Sequence, residues 1–426
     1  MSIEDEVDRL TDERPGKELL TPAYDDPAFP IDDVIHRSGG TTAAYLLRTS
    51  AGRVIVNTGM GWEAPHHKRV FDAVCPGPTP YIVTTQGHVD HVGGVSLFRE
   101  PGTRYVAQAA NAKCQSDDAR IAAFRAGTAL LWFGNLGGLV RDFAERYPGG
   151  SRGQDRPTPD LVFDRRLALR VGDLDLELVS MPGGETVDSC VVWLPRRRIA
   201  LVSNLFGPLF PHFPNFNTLR GDLYRFPEPY LANARAVREL GPELLITGRH
   251  APIAGRELID ACLRRLHDAV EFVHRETLAR INEGEDVQTI MREVELPPRL
   301  RVGQGYGTVR WAVRTIFEAY TGWFQRRSSA ELYAVDPGAA AADLAELAGP
   351  AAVVERARKH LEAGEPAVAI QLAEAVLARD DRHRGAARVL VDAHEALLAA
   401  GGDANFWESG WLRHQIARWS PVAGPR

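Results

Sequence analysis

The stretch Gln86-Gly87-His88-Val89-Asp90-His91-Val92-Gly93-Gly94 directly follows the apolar run Tyr81-Ile82-Val83-Thr84-Thr85. A short apolar run bounded by turn residues has the pattern of a buried strand. This strand therefore ends by delivering two imidazoles and a carboxylate within four residues. On such a loop alternate side chains can converge, and Gly87, Gly93 and Gly94 permit the tight backbone that convergence needs. Imidazole and carboxylate suit zinc, iron and manganese. Upstream, 43–47 and 54–57 are apolar runs separated by Ser50-Ala51-Gly52-Arg53, which predicts a hairpin. Residues 63–74 can form a helix before the 81–85 strand. Strand, helix, strand, polar loop is the order of an α/β layered fold.

The pattern repeats downstream. Strands are expected at 167–171, 174–180, 190–194, 199–203 and 244–247. Three of their ends lead into polar groups: Gly183-Gly184-Glu185-Thr186-Val187-Asp188-Ser189, Val202-Ser203-Asn204 and Gly248-Arg249-His250. Four strand-end loops that feed polar side chains to one edge of a sheet sandwich make the layout of a metal site. Residues 117–150 interrupt the strands with helices expected at 119–126 and 139–147, an inserted cap or lid. Residues 1–30 are polar and Pro-punctuated, which predicts an arm over the surface. The strand-rich domain that carries the insertion then spans 31–265, followed by a helical extension at 266–328. From 351 to about 398 the spacing is that of paired antiparallel helices, similar to tetratricopeptide units. So few units bury little surface alone, so the segment is expected to pack on the rest or on a second copy.

Lys+Arg 50 against Asp+Glu 56 leaves a net charge of −6, which offers no bulk attraction for nucleic acid or an anionic membrane. The four cysteines lie far apart with no Cys-x-x-Cys pair, which excludes a cysteine zinc finger and fits a reducing compartment. The N-terminus is acidic with no apolar run. A cytoplasmic location is therefore expected. His66 and His67 are assigned to a solvated helix face, and His212 to packing. Trp132, Phe133, Phe210, Phe213 and Phe216 are weighed as the wall of an apolar channel or as core.

These motifs resemble the metallo-β-lactamase superfamily, and more narrowly its alkyl sulfatase branch. The matches are Gly-His-Val-Asp-His-Val-Gly-Gly at 87–94, Thr-Leu-Arg-Gly at 218–221, Glu-Leu-Pro-Pro at 295–298, Gly-Tyr-Gly-Thr-Val at 305–309 and Tyr-Thr-Gly-Trp-Phe at 320–324. The resemblance spans roughly 38–415. It implies an αββα sandwich followed by an all-α dimerisation domain at 329–426, hence a homodimer. The sterol-carrier-like domain that ends many members of the branch is not expected.

The resemblance also implies two metal sites. The first would use position 86, His88 and Glu185, and the second Asp90, His91 and His250, with Asn204 at the place of a bridging acid. Two positions depart from the family pattern. Gln86 stands for a His and Asn204 for an acid, and an amide oxygen is a neutral, weak ligand. Adjacent dications held by less negative charge repel more, so the second site is expected to be the firmer. The implied cofactor is a divalent metal, zinc first, with iron or manganese as alternatives. Asn215, Arg220 and Tyr306 match the branch's substrate-binding positions, and Arg220 offers a planar fork for sulfate or another oxyanion. The implied function is hydrolysis of a small-molecule substrate, a sulfate ester or similar oxyanion-bearing compound, by metal-activated water, with Asp90 and Arg220 as catalytic groups. Two other readings stay open: iron- or manganese-dependent oxygenase, lyase or isomerase chemistry, and a non-catalytic dimeric binding protein.

Overall fold

Alternate residues of single strands feed different cores. In the computed structural model, which describes residues 2–14, 16–150 and 153–425, Tyr45 and Leu47 of one strand enter an inter-sheet core, while Ala44 and Leu46 face outward into a second. That is the period of two expected of an extended chain buried on both faces. The first sheet runs in chain order: β1 (Phe29–Pro30), β2 (Ile35–Ser38), β3 (Ala44–Thr49), β4 (Gly52–Val56), β5 (Tyr81–Val83), β6 (Arg104–Gln108) and β7 (Leu161–Phe163). It is antiparallel from β1 to β4 and parallel from β4 to β7. The second contains β8 (Arg166–Val171), β9 (Leu174–Ser180), β10 (Cys190–Leu194), β11 (Ile199–Ser203), β12 (Leu244–Thr247) and β13 (Ile253–Ala254), in the order β13-β12-β11-β10-β9-β8. Only β11 and β12 pair in parallel within it.

Helices cover both outer faces. α1 (Ile3–Glu13) lies near the start of the chain. α2 (Ala64–Val74), the single turn α3 (Val89–Val92) and α4 (Val95–Phe98) contribute to the core on the first sheet's outer face. The insertion forms α5 (Asn111–Arg120), α6 (Ala122–Ala129) and α7 (Leu136–Arg146). α8 (Pro227–Leu240), α9 (Arg256–Asn282), α10 (Val287–Glu293) and α11 (Val309–Thr321) build the core outside the second sheet. The αββα sandwich implied by the sequence is therefore present. The chain divides into two compact units, Met1–Phe317 and Glu318–Arg426. The second contains α12 (Ala339–Ala348), α13 (Pro350–Glu362), α14 (Pro366–Leu377), α15 (Arg384–Ala400) and α16 (Phe406–Ala423), packed around small residues such as Ala357, Ala369 and Ala386. Among the described residues no helix is long and apolar enough to cross a membrane.

Two expectations need correction, and one open choice is decided. The N-terminal segment is not simply a surface arm: residues 3–13 form α1, capped by a reciprocal Ser2–Asp5 bond pair. Val7 is buried in the core shared with α9, and Arg265 of α9 pairs with Glu4 and Asp8. The acidic composition masks the i, i+3, i+4 spacing of Val7, Leu10 and Thr11. His66 and His67 are fully buried rather than solvated. The His66 Nδ1 lies 2.8 Å from the Tyr147 hydroxyl, and the His67 Nδ1 lies 2.7 Å from Ser38 Oγ. Phe210, Phe213 and Phe216 pack into the core beside Phe206 and Tyr230 and line no channel.

Burial pushes the His67 imidazole down to about 3. The unfolded chain titrates it near about 6.5, so the unfolded state takes up the proton first as pH falls. Its stabilising contribution is complete above about pH 6.5 and is lost on acidification, by on the order of 2 kcal/mol between about pH 7 and pH 5. Thermal unfolding followed by circular dichroism should show a steep fall in Tm over that window, and a shallower one in His67→Gln. Equal slopes would contradict this.

Candidate functional site

The two sheets are tied together where their strands end. The Tyr45 hydroxyl donates to the Thr247 carbonyl at 2.8 Å, and Cys190 N–H donates to the Thr85 carbonyl at 2.9 Å. Asn57, in a left-handed conformation just after β4, accepts from Thr85 N–H at 2.9 Å and donates to Ser203 Oγ at 3.3 Å. These bonds fix one edge of the sandwich, and the loops after β5, β9, β11 and β12 all leave from there. A Cβ at Gly87 would crowd the Asn111 carbonyl and Cys114 Cβ, each at 3.0 Å, which favours glycine there.

One network surrounds His88. Its Nε2 lies 3.1 Å from Asp222 Oδ2, and its Nδ1 lies 2.9 Å from Gln86 Nε2 and 3.4 Å from Arg220 NH2. A guanidinium can only donate, so Nδ1 is the acceptor and the ring proton sits on Nε2, facing Asp222. Asp222 continues to Arg225 at 3.9 Å, and Arg225 NH1 donates to Glu185 Oε2 at 2.7 Å. Both members of that ion pair are 7% exposed. Burial pushes the Glu185 carboxyl up, with Arg225 working against it. Burial also opposes ionisation of Asp222, but His88, Arg225 and Arg220 outweigh it and hold this carboxyl well below its ordinary range.

A second network surrounds His91. Its Nε2 lies 3.7 Å from Asp90 Oδ2 and 3.4 Å from Asn204 Nδ2, and its Nδ1 lies 3.2 Å from Thr85 Oγ1. Thr42 donates its hydroxyl to Asp90. Burial raises the Asp90 carboxyl, but His91, His88, Thr42 and Arg220 together hold it far below normal, so it is ionised. Burial holds His91 down at about 4, against the pull of Asp90, so it is neutral. His250 is held down to about 3 by burial, with Arg14, His212 and Arg249 adding to it.

The fit to a divalent metal differs between the networks. Around His91 the donors have the right chemistry: an ionised carboxylate, a neutral imidazole and a buried acceptor, Asn204 Oδ1, with no hydrogen-bond partner; His250 Nε2, three residues past β12, is likewise buried and unpartnered. The side chains do not meet in a finished cage. The one triad of His, Cys, Asp or Glu donors within 4.8 Å of one another among the described residues is His267, Asp268 and Glu271 on α9. There the two ring nitrogens of His267 are already engaged by Arg235 and Asp268. Around His88 the set does not fit: both ring nitrogens are committed, Gln86 lies against one of them, and Glu185 is neutralised by an arginine.

The oxyanion candidates lie on the loop 215–225. Thr218 and Gly221 have positive φ, 46° and 85°, which is strained for a β-branched threonine. Asn215 Oδ1 accepts from Thr218 N–H at 3.2 Å, so Asn215 braces the loop that presents Arg220. Arg220 is 23% exposed and 3.7 Å from Asp222. Tyr306 is half-buried; burial pushes its phenol up, and Arg220, Glu185, Arg225 and Arg249 are the charges that act on it. Thus Gln86, His88, Glu185, Arg220 and Tyr306 group on one side, Asp90, His91 and Asn204 on the other. His250 is buried without a bond to either. Sequence reasoning missed Asp222 and Arg225, two and five residues past Arg220. It also missed Thr42, Arg249 and, on α6, Arg125, whose charge is felt with those of Arg220, Asp222 and Asp90. A second Asp and Arg so close behind a Gly turn were the available signal.

The metallo-beta-lactamase superfamily model matches residues 37–249, and the alkyl sulfatase dimerisation model matches 286–412. A linear primary-alkylsulfatase of Pseudomonas sp. is 25% identical over 309 residues, 66% of this chain and 56% of that protein. An alkyl/aryl-sulfatase of Saccharomyces cerevisiae is 26% identical over 263 residues, 60% of this chain and 40% of that one. The chain spans about half the length of the curated relatives it matches. A stereoselective inverting sec-alkylsulfatase structure from Pseudomonas sp. superposes with a TM-score of 0.79 at 18% identity, over 99% of this chain and 70% of that chain. The last likeness establishes the shared fold.

A Cβ at Gly248 would sit 2.0 Å from Asn204 Oδ1. Gly248→Ala should therefore cost about 1–3 kcal/mol by overpacking, read as a lower denaturant midpoint at unchanged m-value. An unchanged midpoint would mean that Asn204 is free to move aside.

Proposed function

Because the chain belongs to the metallo-β-lactamase superfamily, we propose that it is a metal-dependent hydrolase of sulfate monoesters or closely similar oxyanion-bearing substrates. The observation that carries this reading is the Arg220 guanidinium, 3.4 Å from His88 and 3.7 Å from Asp222. It sets an oxyanion-binding fork against the side chains of the metal-ligand motif. The curated relatives are named as alkyl and aryl sulfatases, which supports sulfate as the oxyanion.

Asp90, His91 and His250 would hold a divalent ion, zinc first, which when bound supplies Lewis acidity for activating water. Arg220 would bind the sulfate oxygens and neutralise charge as the ester bond breaks, with Tyr306 as a neutral donor beside it. Asp90 is too acidic to serve as a proton store, so its role is to accept a hydrogen bond from water and aim it. Water adds across the ester to give an alcohol and hydrogen sulfate. The organic group would lie on the apolar residues beside Arg220. Leu219, Leu223, Tyr224 and Phe226 are exposed on the same loop. A Cβ at Gly221 would come within 2.6 Å of exposed Phe124, which places α6 against that loop.

The match to the dimerisation model supports pairing of two copies through the C-terminal unit. Trp323, Leu332, Tyr333, Val335, Leu344 and Leu347 of that unit are exposed, Leu347 at 85%, apolar side chains that a second copy would cover.

Sulfate release from an alkyl sulfate should fall about 10²–10³-fold in kcat for Arg220→Gln, with metal content unchanged; parent-like turnover would remove Arg220 from the reaction. His91→Ala and His250→Ala should each lose most of the bound metal by elemental analysis, and full retention would refute the ligand set. The double variant Leu344→Glu/Leu347→Glu should halve the mass seen by light scattering if the parent is a dimer through this surface.

A further inference from the structure

We propose that the Arg225 guanidinium occupies the place expected for the first metal ion, so that this chain binds no more than one ion, on the Asp90 and His91 side. The inference rests on the metal reading above and narrows it. Glu185 has its carboxylate taken by Arg225 NH1 at 2.7 Å, with both side chains 7% exposed. A desolvated pair of this kind leaves no spare charge for a dication, and a dication bound to Glu185 would lie beside a fixed positive group.

Arg225 is anchored independently of Glu185. Its NH1 also donates to the Asn215 carbonyl at 3.4 Å, its NH2 lies 3.9 Å from Asp222, and Arg225 N–H bonds the Phe216 carbonyl at 3.1 Å. The guanidinium is thus part of the loop that presents Arg220, not a mobile counterion. His88 points the same way. Its Nδ1 lone pair receives Gln86 and Arg220, and its Nε2–H is spent on Asp222. Gln86 is buried at 2% exposure, and its amide completes this arrangement where a second imidazole would compete for a cation. One organic cation with a fixed planar fork thereby does the electrostatic work of an ion.

The test is metal stoichiometry by elemental analysis after loading with zinc and removal of excess. The parent chain, Gln86→His, Arg225→Met and Gln86→His/Arg225→Met are compared. Restoring the imidazole alone should leave the count unchanged, because the guanidinium remains. The double variant should gain about one ion per chain over the parent. A second ion in Gln86→His or in the parent overturns the inference, as does a folded double variant that gains none. If the Arg225 variants fail to fold by circular dichroism, Gln86→His still decides the matter. A parent that binds no ion counts against the Asp90, His91 and His250 ligand set, while the difference between parent and variants still reports on Arg225.

Discussion

Ionised carboxylates buried at the edge of a sandwich must find cations, because an uncompensated buried charge costs several kcal/mol. Three of them, Asp90, Glu185 and Asp222, meet within the loops of this one edge. Asp222 and Glu185 are answered by arginines 220 and 225, whereas Asp90 has the Thr42 hydroxyl and the neutral His91 beside it and feels the charge of Arg220 from further away. Arginine can serve two carboxylates at once because its five N–H groups sit in one rigid plane. Under the proposed function, the arginine that balances Asp222 would also be the group that binds a tetrahedral oxyanion.

The framework beneath explains how such a cluster keeps its geometry. Cross-sheet bonds from Tyr45, Asn57 and Cys190 lock the strand ends before the loops begin. The loops after β5, β11 and β12 are short at the point where they carry His88, Asn204 and His250. The loop bearing Arg220 is longer, with two left-handed residues, and is braced by Asn215 and Arg225. Its exposed apolar side chains lie against α6 of the insertion. The insertion thus packs against the loop that carries Arg220.

Much of this was legible in the residues. Short apolar runs located β3, β4, β5, β8, β9, β10, β11 and β12, though not β1, β2, β6, β7 or β13, and the polar groups just beyond 83, 203 and 247 pointed to the edge where the candidate residues lie. The metal-ligand motif pointed to His88, Asp90 and His91. What escaped depends on contacts distant in sequence. Arg225 looks like any loop arginine until Glu185, forty residues earlier, is brought to it. His66 and His67 follow a polar pattern locally, yet are buried by Ser38, Asp25 and Tyr147 from three other segments. The amphipathic spacing of α1 was hidden because the face opposite Val7 is so strongly acidic.

The central claim is that this site combines one ion on the Asp90 and His91 side with an arginine on the His88 side. Anomalous scattering from crystals loaded with zinc, recorded at the zinc edge, tests it most directly. The account predicts a single peak beside Asp90, His91 and His250, with the Arg225 guanidinium still bonded to Glu185. Two peaks, with Arg225 displaced from Glu185 and His88 turned to a metal, would contradict it.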